Sequence, residues 1–118
     1  MKKAFEVLNK FAAVEGVRAA VLVAGDGLPL EAVVKDETLR AEEVAALACD
    51  GVGAIRSMLA ELEGGQFVQG VLEYSKGAVL ITNLPLKMTL VLIATRSANK
   101  ARLWDAVAAN FKEVMAAL

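Results

Sequence analysis

Near the start of the chain, Ala4, Leu8 and Phe11 fall on one helical face and Lys3, Glu6 and Lys10 on the other. That spacing predicts a short amphipathic helix over residues 3–13. After Gly16 the run VRAAVLVA is apolar in both alternating registers, the pattern of a strand buried on both faces. Leu28, Leu30, Ala32 and Val34 then alternate with Pro29 and Glu31. Proline is tolerated at the start of a strand or on a sheet edge, so this second strand is expected to lie outermost. The stretch DETLRAEEVAALACDGVGAIRSMLAELEGG predicts the longest helix, with Asp36 and Thr38 as candidate N-caps, acids in its first turns and a stop at Gly64-Gly65. One face of this helix carries Val44, Leu47, Gly51, Ile55, Met58 and Leu62, the expected core stripe. The opposite side carries only small residues, Ala46, Cys49, Asp50, Gly53, Ser57 and Ala60.

Three strand-like runs follow in close succession: QFVQGVLE, GAVLITNL and KMTLVLIAT. YSKG separates the first two and a short turn at Pro85 the next pair, leaving no room for a helix, so the three form an antiparallel meander. Leu103, Val107, Phe111, Val114 and Leu118 mark the expected buried stripe of a last helix, with Ser97 or Asn99 as its N-cap. The predicted fold is α/β: a single domain over residues 1–118, with a five-stranded antiparallel sheet and helices on both faces.

Composition narrows the function. The chain has 118 residues, 57% of them hydrophobic, which suits one core and one domain. The formal net charge of −1 and the lack of a basic block disfavour nucleic-acid binding. The sequence contains no histidine and one cysteine, Cys49, which removes Ser-His-Asp and Cys-His chemistry, histidine-ligated zinc and any internal disulfide. Cys49 itself reads as a small packing residue, since no base or cation is placed beside it by sequence. Glu6 and Lys10 interrupt the apolar centre a signal peptide would need, and no run is long enough to span a bilayer. A soluble, cytoplasmic protein without direct membrane insertion is expected.

The loop VAGDGL, residues 23–28, raises the question of a ligand site. A phosphate loop needs Gly-x-x-x-x-Gly-Lys-Ser/Thr followed by a helix, a dinucleotide loop needs a third glycine opening a helix, and a calcium loop needs further oxygen ligands. None of these is met, and Asp26 stands alone. The loop reads as a hairpin turn. Glu42 and Glu43, with Asp50 and Glu61, read as helix-dipole and solvent-facing acids rather than as a general acid–base or magnesium site. No catalytic, cofactor-binding or metal-binding residues are assigned.

Taken together, GVRAAVLVAGDGLPLEA, AEEVAALACDGVGAIRSMLAELEGG, VLEYSKGAVLITNL and LVLIATRSANKARLWDAV resemble the Roadblock family, which includes the dynein light chains of that name and the MglB regulators of Ras-like GTPases. The resemblance implies strand order 2-1-5-4-3, the long helix on one face of the sheet and the two terminal helices on the other. It implies a homodimer joined through the third strand, with a small Ras-like GTPase seated across the paired long helices. It also implies a non-enzymatic regulator or scaffold that inserts no arginine finger, which sets aside Arg96 and Arg102. On this chain the implied GTPase surface is Ala46, Cys49, Asp50, Gly53, Ala54, Ser57 and Ala60. The implied dimer edge is Phe67, Val68, Gln69, Gly70 and Val71.

The residues supply physical reasons of their own. The third strand is an apolar edge without proline or inward charge to discourage pairing. Gly51 and Gly53 each cost a helix about 1 kcal/mol relative to alanine, a cost that close approach by another surface would explain. Packing on the protein's own sheet is the competing explanation of the small face. A purely structural adaptor of the light-chain type is the alternative function, followed by a small-molecule sensor with a cleft between sheet and helices.

Overall fold

A computed structural model describes residues 2–118. The order of elements is α1 (Lys2–Ala12), β1 (Val17–Val23), β2 (Pro29–Val34), α2 (Ala41–Glu61), β3 (Gln69–Tyr74), β4 (Gly77–Asn83), a 3-10 turn (Pro85–Lys87), β5 (Thr89–Thr95) and α3 (Lys100–Ala117). The five strands form one antiparallel sheet in the order β2-β1-β5-β4-β3, as the family resemblance implies.

Alternation along β1 divides the core between the two sheet faces. Val17, Ala20 and Leu22 join Leu8 and Phe11 of α1 and Leu103 of α3, whereas Ala19, Val21 and Val23 join Val44, Ala45 and Ala48 of α2. The three-residue step from Val17 to Ala20 is a bulge: the pairing to β5 jumps from Val17↔Ala94 to Ala19↔Ile93. The extra residue, Arg18, is thereby aimed at Asp36.

Turn chemistry closes the hairpins. The 23–28 loop bonds Ala24 N–H to Leu28 O at 2.8 Å and Gly27 N–H to Ala24 O at 2.9 Å, with Gly27 at φ +87°. Asp26 spends Oδ1 on the Leu28 amide at 3.1 Å, so its carboxylate works within the turn. Across the sheet, Gly77 lies so close to the Ala94 carbonyl that a Cβ has no room there.

Three expectations need correction, and the β2 alternation is left mostly uncovered. Asp36 and Thr38 do not cap α2: its N-cap is Arg40, with no side-chain bond, because Asp36 Oδ1 is already occupied by the Thr38 amide and hydroxyl. The buried stripe of α2 is Val44, Ala45, Ala48 and Val52, continued by the partly buried Ile55 and Leu59, and it leaves Leu47, Met58 and Leu62 in solvent. On the edge strand β2, Leu30 and Val34 are exposed, since α2 shields only Ala32 of that alternation. In α3, Leu103, Val107 and Val114 are buried but Phe111 and Leu118 are not, while Asn99 is the N-cap through its bond from Arg102 N–H.

α2 ends at Glu61, before Gly64-Gly65, in a Schellman motif: Gly64 N–H bonds Leu59 O at 2.9 Å and Glu63 N–H bonds Ala60 O at 3.2 Å. Glu63 takes the left-handed position at φ 51° that glycine usually fills.

Candidate functional site

Two surfaces carry the residues singled out by sequence. On α2, Ala46, Asp50, Gly53, Ala54, Ser57 and Ala60 are exposed. The small face is therefore turned away from the protein's own sheet, and at Gly51 and Gly53 a Cβ would meet nothing within 4 Å. Cys49 differs from the rest: it is half-buried, with Sγ 3.4 Å from the Cβ position of Gly27 in the first hairpin.

A second α2 flank was missed by sequence reasoning. Cys49 meets the β1–β2 turn, and Arg56 Nη2 donates to Asn83 Oδ1 at 3.1 Å, so these two mark the flank near the β1–β2 and β4–β5 turns. Helical spacing puts Leu47, Gly51 and Met58 on the opposite flank, over the other end of the sheet. Leu47 is 71% and Met58 56% exposed. Below them on the same sheet face, β3 presents Leu72 and Tyr74, both exposed; their register with Val79 and Gly77 sets that side. α2 packs chiefly over β1, β2 and β5, which leaves this corner open. The signal available in the sequence was the size of these side chains, and it pointed the wrong way: large apolar residues are ordinarily assigned to the core.

β3 is an outer strand of the sheet. Asn83 N–H donates to Val68 O at 2.9 Å, and antiparallel alternation then turns Gly70, Leu72 and Tyr74 toward β4. The backbone groups of Gln69, Val71 and Glu73 face outward. Val68 is exposed but precedes the strand, and Phe67 does not belong to the edge at all. Phe67 is buried with Val52 and Ile81, its ring 3.6 Å from where a Gly70 Cβ would stand. That buried ring roots the β3 segment under α2.

The charges on α2 are Glu42, Glu43, Asp50 and Glu61 against a single base, Arg56. Among the described residues, no group of three or more histidine, cysteine or acidic side chains is placed to hold a metal ion, and no helix is long and apolar enough to cross a membrane. The exposed features on this side of the molecule are a helix face of small side chains, an apolar flank and an unpaired strand edge.

This fold and these surfaces define a class. Residues 3–94 match the Roadblock/LC7 domain, and the chain belongs to that family. Among solved structures it is similar to Myxococcus xanthus MglB, with TM-score 0.87 and 15% identity over 97% of this chain and 86% of that one. It is similar to a Roadblock/LC7 domain from Streptomyces avermitilis, with TM-score 0.83 and 26% identity over 93% and 92% of the two chains. The gliding protein mglB of Thermus thermophilus gives TM-score 0.84 and 17% identity over 97% and 87%. No curated protein matches the sequence significantly.

Proposed function

We propose that this protein is a homodimeric, non-enzymatic module that binds a small Ras-like GTPase and regulates or scaffolds it. Membership of the Roadblock/LC7 family and the likeness to MglB structures support a regulatory or scaffolding module. One observation carries the finer reading: the small-residue face of α2 is solvent-exposed and adjoins an apolar flank, on a sheet whose β3 edge is unpaired.

In this reading a second copy pairs along β3 through the outward backbone groups of Gln69, Val71 and Glu73. Its α2 settles beside the first, covering Leu47, Met58, Leu72 and Tyr74, with Gly51 allowing close approach. The faces of α2 bearing Ala46, Asp50, Gly53 and Ser57 remain outward for the GTPase, while Ala54, between Gly51 and Met58, borders the flank given to the second copy.

The test is capture from native extract on the immobilised protein with GDP or a GTP analogue, followed by GTP turnover of the purified GTPase with and without this protein. Enrichment in one nucleotide state with altered turnover is the expected result. Equal capture in both states with unchanged turnover would make the protein a structural adaptor. Capture of no GTPase would overturn the proposal.

A further inference from the structure

At the end of the sheet bearing the β4–β5 turn, a groove of about 820 Å³ runs between that turn and the segment following α2. Its charged lining residues are Arg56 and Lys87, with no acid among them. The ion pairs among the described residues join Lys10 to Glu113, Arg18 to Asp36 and Lys100 to Glu73, so neither groove cation is matched by a carboxylate of this chain. Arg56 is held by the neutral Asn83, which orients the guanidinium without cancelling its charge.

The groove wall is also strained. Leu86 and Lys87 both adopt φ 61°, the left-handed region that side chains other than glycine occupy at a cost. The turn is fixed by Leu84 N–H to Met88 O at 2.8 Å and Met88 N–H to Pro85 O at 3.2 Å, and it is backed by Gly25, whose Cβ position lies 3.1 Å from Lys87 Cβ. What this fixed turn displays is a leucine that is 82% exposed. The turn thus holds an apolar side chain in water beside two cations that no carboxylate of this chain matches.

We infer that the groove is a second contact site for the protein partner, receiving an acidic segment against Arg56 and Lys87 with Leu86 inserted into an apolar pocket beside it. Arg56 sits on α2 itself, so the site extends the proposed GTPase footprint around the helix flank, and the inference rests on that reading. Complementary charge here would set the direction in which the partner lies along α2.

The experiment uses the purified GTPase captured by the wild-type protein and measures its affinity by calorimetry at low and high salt. The double variant Arg56→Glu/Lys87→Glu is expected to bind roughly tenfold or more weakly, with a flatter salt dependence. Leu86→Gly is the second variant, because glycine accepts the left-handed backbone: affinity falls while the melting temperature holds or rises. Unchanged affinity in both variants, with binding abolished by Gly53→Arg on the outward α2 face, overturns the groove assignment and leaves the proposed function standing. Capture of no GTPase by the wild-type protein overturns both.

Discussion

Arg18 reaches Asp36 through two nitrogens, Nε at 2.8 Å and Nη2 at 2.6 Å from the same carboxylate oxygen, while the other oxygen accepts from Thr38. The β1 bulge and the approach to α2 are thus tied at one side chain. The Thr38 hydroxyl, then its amide, then Arg18 hold Asp36 at about 2, below the ordinary 3.8. Because the folded value is the lower one, the stabilisation is complete above the unfolded value and is lost as pH falls through the folded one. Asp36→Asn is therefore expected to lower the urea midpoint at neutral pH, and its gap to wild type should close between pH 4 and pH 2. A gap that persists at the acid end would show that the carboxylate's charge is not what matters.

Two glycines are expected to respond in opposite directions. Gly77→Ala drives a Cβ into the Ala94 carbonyl and to 3.0 Å from the Tyr74 hydroxyl, and should cost about 1–3 kcal/mol. Gly53→Ala adds a methyl in open space within α2 and should gain about 1 kcal/mol from helix propensity. Denaturant unfolding of both variants, run at one protein concentration, measures the contrast.

Val71→Pro is expected to yield monomers. The Val71 amide faces the free edge, so proline removes a donor that a second strand would use and spares the ladder to β4. Light scattering reads the mass and circular dichroism the retained fold. A folded variant that stays dimeric would move the dimer interface away from β3.

Ser57→Arg places a long cation on the exposed side of α2, opposite the buried Val44, Ala48 and Val52. GTPase affinity is expected to fall by roughly a hundredfold, as when a bulky unmatched charge enters an interface centre, with the melting temperature within a few degrees of wild type. Undiminished binding by a folded Ser57→Arg protein would place the GTPase elsewhere.

These surfaces also show how far the sequence could be read. The doubly apolar run at Val17–Val23, the hairpin glycines and the close spacing of β3, β4 and β5 gave the elements, since each rests on local chemistry that tertiary packing did not override. The helix faces were harder. α2 buries alanines and valines because the sheet lies close beneath it, and it exposes Leu47 and Met58, so hydrophobic size alone selected the wrong stripe. Phe67 was misplaced for a related reason. Beside Val68 it reads as strand, yet its ring turns in beneath α2, a relation set by residues far away in the chain. Arg56 and Lys87 were invisible as a pair, since only the fold brings the β4–β5 turn to the α2 flank.

α2 roofs only part of one sheet face, and any molecule that bound there would contribute to folding by mass action. A chain whose second layer is finished by another molecule has no single melting temperature; its midpoint rises with that molecule's concentration. Where the closing molecule is a second copy, dilution acts as a mild denaturant. The amount of this protein that a cell makes then sets how firmly each copy is folded.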